Sequence, residues 1–174
     1  MEKIKKVMLL DWMRKIHTLE HAHRLESIRW SNYNNYFGIP SLIVAALISM
    51  VSSVSEFAMM CWWNDLITAL GGTMLAILAG LQTFLKPSEL AEKNRNSSIT
   101  YEKLRHKIEF VMEFENEPDK YNNAVQGIRN EWSQIDALNV SQESFDKAKK
   151  WVNGMNKYPE ELGFIDNDTR KRSE

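Results

Sequence analysis

His17, Glu20 and His21 follow the H-x-x-E-H order of one zinc peptidase group, and His23 lies two residues further on. On a helix His17 and His21 share a face one turn apart, so a metal ion can bridge them. No later segment offers an obvious further ligand or a substrate cleft. Histidines that pack or lie on a polar helix are the commoner use of so short a pattern. Ser144 and Lys147 fit S-x-x-K, but the companion motifs of that chemistry are missing. The chain has neither the glycine-rich phosphate loop nor the dinucleotide fingerprint. Its single cysteine, Cys61, excludes an internal disulfide framework and any multi-cysteine zinc site. Asn96, Asn139 and Asn167 begin nominal glycosylation triplets, which carry no meaning for a segment facing the cytoplasm. These patterns do not argue for an enzyme and imply no cofactor.

The histidines sit on a segment that must itself be positioned. Residues 3–33 read as one amphipathic helix, with Ile4, Met8, Trp12, Ile16, Leu19, Ala22, Leu25 and Ile28 recurring at spacings of three and four. That stripe either lies on a membrane surface, aided by Lys3, Lys5, Lys6, Arg14 and Lys15, or packs on another helix of the same protein. Packing is the commoner outcome.

The average over 174 residues, with a net charge of −1 and 44% hydrophobic content, looks like a soluble protein and gives no reason to expect nucleic acid as a ligand. The apolar residues are nevertheless concentrated. No charge occurs from Phe37 to Ser55, or from Leu66 to Leu85. A helix needs roughly 20 such residues to cross ~30 Å of hydrocarbon. The long polar stretch before the first run is unlike a secretory signal, so residues 1–36 are expected to stay on the chain. Pro40 is placed at the opening of the first crossing, where its missing amide costs little. Tyr33, Tyr36, Trp62 and Trp63 flank the runs as interfacial aromatics do. The short connection from Glu56 to Asp65 makes the crossings an antiparallel hairpin.

Basic residues set the orientation. Arg24 and Arg29 precede the first run, and Lys86, Lys93 and Arg95 follow the second. Between the runs the only charges are Glu56 and Asp65. The positive-inside rule therefore expects both ends in the cytoplasm. Small residues recur at every fourth position: Ser41, Ala45, Ser49 and Ser53 on the first crossing, Thr68, Gly72, Ala76 and Gly80 on the second. Such columns let backbones approach closely in lipid, either within one hairpin or between subunits around an opening. With no ionisable group inside either run, proton relays and voltage sensing have no carrier. A pore from these helices would be lined by Ser, Thr, Gly and Gln82 and would discriminate weakly between ions.

Beyond the second run, Pro87 is expected to kink the chain. Leu90, Asn94, Ser97, Tyr101, Leu104, Ile108 and Val111 then alternate by four and three, a heptad seam suited to joining subunits. Pro118 ends it. A helix over about residues 119–138 carries Val125, Ile128, Trp132 and Ile135 on one face. Ser141 is placed as the N-cap of a further helix with Phe145, Ala148, Trp151 and Val152 inward. The tail after Pro159 reads as loosely ordered.

The fold expected is an all-α membrane protein. It comprises an N-terminal amphipathic helix (1–36), a transmembrane hairpin (37–86, crossings near 37–55 and 66–85), a cytoplasmic heptad stalk (87–117), a short helical bundle (118–155) and a loose tail (156–174).

Over about residues 19–112 the chain resembles the SLATT family of two-transmembrane effectors associated with bacterial defence. Glu20, His21, Ala22, His23 and Arg24, followed by Tyr36, Phe37, Gly38, Ile39 and Pro40, are similar to the family's acidic/His turn and its L-G-I-P opening. Phe84, Leu85, Lys86 and Pro87, with Ala91, Arg95, Tyr101, Leu104 and Ile108, are similar to its exit motif and following helix. Asn94 stands where many members have a His. The resemblance implies a homo-oligomeric, pore-forming effector of the bacterial inner membrane that acts in abortive infection. It also implies a separately encoded partner: a cyclic-oligonucleotide synthase, a nucleotide sensor or a reverse transcriptase. Residues 118–174 are too short for a typical nucleotide-binding fold of their own. Two other readings stand beside it: a non-conducting membrane scaffold of viral or envelope origin, and a metal-dependent enzyme built on His17 and His21.

Overall fold

The computed structural model describes residues 2–54, 61–112, 118–155 and 158, with side chains described over 7–51, 65–112, 120–155 and at 158. Residues 55–60 of the connection between the apolar runs and the tail apart from Tyr158 lie outside the described residues. So do the side chains of Ile4, Ser53, Cys61, Trp62 and Trp63. Among the described residues all regular structure is helical: α1 Glu2–Val54, α2 Cys61–Leu85, α3 Pro87–Met112, α4 Pro118–Ser133 and α5 Gln142–Gly154. Two of the helices are long and apolar enough to cross a membrane.

Two boundaries differ from those expected. Pro40 lies inside α1, which runs on without a break. A proline there deprives the Tyr36 carbonyl of its amide partner, a loss that helices in lipid tolerate when neighbouring groups compensate. At the second boundary Pro87 does not kink a continuous helix. α2 ends at Leu85, Lys86 takes a left-handed conformation (φ 44°), and Pro87 is the first residue of α3. The amide of Lys86 still reaches the Gln82 carbonyl at 3.0 Å, and the Lys86 carbonyl accepts from Leu90 at 3.1 Å. Proline disfavours a right-handed helical conformation in the residue before it, so the helix stops there.

The chain divides into two compact units: residues 1–27 with 93–174, and residues 28–92. In the first, Leu9, Met13 and Ile16 of α1 pack on Tyr101, Leu104, Ile108 and Val111 of α3, together with Tyr121 and Ile128 of α4. Burying each Leu or Ile contributes roughly 1.5–3 kcal/mol, so this cluster holds the unit together. The α1 stripe therefore packs on helices of its own chain through Trp12, Ile16, Leu19 and Ala22, and departs from the expected face at its ends. Leu9 and Met13 are buried, whereas Met8 and Ile28 are exposed. α4 ends earlier than its apolar pattern suggested, because Ser133 Oγ donates to the Asn130 carbonyl at 2.8 Å in competition with the helix. α5 begins as expected, with Ser141 Oγ accepting from the Ser144 amide at 3.3 Å; Ala148 and Val152 are fully buried and Phe145 partly so, but Trp151, expected inward, is exposed.

In the second unit α1 and α2 make close contact. Gly71 lies against Val44 and Ile48, and Gly38 lies opposite Gln82. The half-buried positions on α2 are Gly71, Leu75, Leu78, Gln82 and Leu85, a four-three alternation. Ser41 and Thr73 each donate to the carbonyl four residues back at 2.8 Å, and Ser49 does so at 3.0 Å. Hydroxyls on these segments are thus satisfied by their own helix, as apolar surroundings require.

Candidate functional site: a polar seam and an open glycine face

The unit of residues 1–27 and 93–174 carries more buried polar chemistry than its core needs. His23 of α1 and Asn94 of α3, each 2% exposed, meet with Nδ1···Oδ1 at 2.9 Å. An amide oxygen only accepts, so Nδ1 of His23 holds the hydrogen and donates. The ring also stacks on Tyr101 at 5.5 Å between centroids. Burial lowers the His23 pKa, and the Asn94 hydrogen bond and the Glu26 charge only partly oppose it. The residue is therefore built to stay neutral.

One turn along α1, the buried Glu26 accepts from both the amide and the hydroxyl of Ser141. Its carboxylate thus sits at the N-terminus of α5, where exposed amides and the helix dipole favour a negative charge. Toward the other end, Glu20 accepts from Arg105 Nε at 2.8 Å, and Glu109 takes Nη1 of the same guanidinium at 2.9 Å. Burial works against the charge of Arg105, but the two carboxylates outweigh it and raise its pKa.

The histidines of the metal-like pattern face aromatic rings. His21 stacks on Trp151 with centroids 4.0 Å apart, and His17 meets Trp151 edge-on at 5.6 Å. The Tyr158 hydroxyl lies 3.0 Å from Nδ1 of His17. Burial pushes the Tyr158 hydroxyl up to about 12. Burial, followed by the charge of Arg24, lowers the His21 pKa. Among the described residues no group of three or more His, Cys, Asp or Glu is arranged to hold a metal ion.

The seam on α3 needs a correction. Tyr101, Leu104, Ile108 and Val111 are buried, but they close on α1 and α4 of the same chain rather than offering an edge to a second one. Leu90 is only partly covered, and Ser98 takes the buried position that the heptad assigned to Ser97. Among the motif positions, Pro87 is buried, Ala91 partly so, and Arg95, Ile39 and Phe84 are exposed.

The small-residue columns part company as well. On α1, Ser41 and Ala45 are half-buried and Ser49 is exposed. On α2, Thr68, Gly72, Ala76 and Gly80 are all exposed, and a Cβ added at Gly72 or Gly80 would meet nothing within 4 Å. The contact with α1 uses Gly71 instead: a Cβ there would come within 2.7 Å of Ile48 Cδ1 and 2.8 Å of its Cγ1. Reading by fours picked the column that includes Gly72. Gly71 stands next to it, outside that column, and only the partner helix shows that it makes the contact. The chain matches no family model, no curated protein and no solved structure.

Proposed function

We propose that this chain is a two-transmembrane effector of the bacterial inner membrane that oligomerises and permeabilises it during anti-phage defence. In this reading α1 beyond Tyr36 and α2 form an antiparallel transmembrane hairpin with both termini in the cytoplasm. α3, α4 and α5 form the cytoplasmic stalk and bundle with the first part of α1. A separately encoded nucleotide-signalling enzyme, nucleotide sensor or reverse transcriptase supplies the trigger, as the resemblance to SLATT effectors implies.

The observation that carries this reading is the open face of α2. The two uncharged runs, 37–55 and 66–85, need only one packing face for each other, and α2 gives Gly71 to that contact. A second face of Thr68, Gly72, Ala76 and Gly80 remains exposed, and it suits close approach by the helix of another copy. The test is expression in a bacterial host with a potentiometric dye. Membrane potential should collapse before lysis, and the combined change Gly72→Leu and Gly80→Leu should reach the membrane in normal amounts yet leave the potential intact. Full activity of that variant would remove the basis for a pore.

The second reading, a non-conducting membrane scaffold, is favoured by one detail. Ser41, Ser49, Thr73 and Thr83 all donate to carbonyls of their own helices, which leaves little polar surface to line a path. Harmless accumulation of the wild-type protein in the membrane supports it.

A further inference from the structure

One residue both ends α2 and begins α3. Lys86 closes α2 with a left-handed backbone (φ 44°) and an amide that reaches the Gln82 carbonyl at 3.0 Å, a common way for a helix to stop. It also opens α3: its carbonyl accepts from the Leu90 amide at 3.1 Å, and Pro87 takes the first helical position. Among the described residues Lys86 alone, glycines aside, has a positive φ.

Neither task suits a lysine. The left-handed residue after a helix is usually glycine, because a Cβ there crowds the following carbonyl. The residue that opens a helix is usually Ser, Thr, Asp or Asn, whose side-chain oxygen accepts from the first-turn amides, whereas lysine carries only donors. The Lys86 ammonium lies 3.5 Å from Glu89, and both side chains are largely in solvent, so that pair contributes little. The bend therefore rests on Pro87, whose buried ring disfavours a right-handed helical conformation in the residue before it.

The competing arrangement is one helix running through the junction. There Lys86 is right-handed and its Cβ is no longer crowded, while the proline ring presses on the Thr83 carbonyl four residues back and kinks the helix. Few hydrogen bonds separate the two arrangements. The Lys86 amide bonded to Gln82 and the Lys86 carbonyl bonded to Leu90 are each four residues from their partners, as in a continuous helix. Position 87 offers no amide in either. The exchange trades a strained lysine for a strained proline, and burial of the Pro87 ring favours the bend.

We propose that Lys86 and Pro87 form a two-state hinge, which sets the direction in which α3 leaves α2. The hinge is a property of the backbone and holds whether or not the apolar helices conduct.

Spin labels at Thr73→Cys and Glu92→Cys, in a Cys61→Ser background of the full chain in lipid nanodiscs, provide the test by double electron–electron resonance. A continuous helix separates these positions by about 28 Å, and the bend brings them closer. The parent should show a main shorter distance and a minor longer one. Pro87→Ala removes the ring and restores an amide, so it should move at least about half of the population to the longer distance. Lys86→Gly favours the left-handed state and should reduce the longer distance at least about threefold. If Pro87→Ala fails to fold, Lys86→Val decides, because a β-branched residue resists positive φ and should raise the longer distance. A distribution that Pro87→Ala, Lys86→Gly and Lys86→Val all leave unchanged overturns the hinge. A rise of the longer distance in Lys86→Gly also overturns it.

Discussion

His23 and Asn94 are 71 residues apart in sequence, and their side chains meet at 2.9 Å inside the protein. The pair joins α1 to α3 at a point where both side chains are 2% exposed. It gives a function to the asparagine that departs from the pattern of the resembled family: its amide oxygen receives the hydrogen of a buried neutral imidazole. Asn94→Leu should leave that donor unsatisfied and cost about 1–3 kcal/mol, read as a lower midpoint in thermal denaturation.

The same pair makes stability depend on pH. His23 titrates below its ordinary 6.5 because it is buried, and His21 shifts in the same direction. A lowered histidine pKa means that the unfolded chain takes up the proton first. The stabilisation is therefore complete above about pH 6.5 and is lost as pH falls from there toward the folded-state value. Thermal midpoints at pH 7.5 and 5.5 should differ, with the lower value in acid. His23→Gln should shrink that difference, and an unchanged slope would place the titration elsewhere.

Glu20 and Arg105 form an ion pair with side chains 15% and 12% exposed, which is enough shelter to matter. A double-mutant cycle with Glu20→Gln and Arg105→Gln should give a coupling of about 0.5–3 kcal/mol. Glu109 retains part of the guanidinium's partnership when Glu20 is changed, so Arg105→Gln should be the costlier single substitution. Coupling near zero would reduce the pair to surface decoration.

Leu104 and Ile108 are 2% and 0% exposed within one chain. Leu104→Ala should cost about 2–5 kcal/mol, whether or not the protein is assembled. Leu104→Asp together with Ile108→Asp should unfold the unit rather than merely release subunits. A folded monomer from that double variant would return the seam to contacts between chains.

The glycines of α2 should behave oppositely. Gly71→Leu drives a side chain into Ile48, so the contact between α1 and α2 should loosen, measurable as faster proteolysis or a lower midpoint in detergent. Gly72→Leu meets open space and should leave the midpoint nearly unchanged. The reverse order would put the contact on the other column.

Topology is tested at Cys61. The basic flanks imply that it faces away from the cytoplasm, so a membrane-impermeant thiol reagent should label it on intact cells. A cysteine at Ser173 should stay unlabelled until lysis. Labelling of Ser173→Cys but not of Cys61 reverses the orientation.

The helical fold and the apolar runs were legible in the sequence because both depend on local pattern. Uncharged stretches from Phe37 and from Leu66 reach membrane length by composition alone. Ser141 signals a helix start through its own side chain. What sequence left open depends on the partner that each face meets. The heptad through Tyr101 and Ile108 reads the same whether a second chain or α1 covers it, and only the fold brings Leu9, Met13 and Ile16 onto it. Small residues at spacings of four mark Gly72 rather than its neighbour, whereas the position of Ile48 singles out Gly71. His17 and His21 keep their metal-like spacing, yet the approach of Trp151 and Tyr158 from over a hundred residues away determines what their rings touch. Glu26 carries no sequence signal at all, because its role arises only when the start of α5 arrives beside it. Local propensity is written along the chain, whereas the burial of a charge or an imidazole is a property of the groups that surround it.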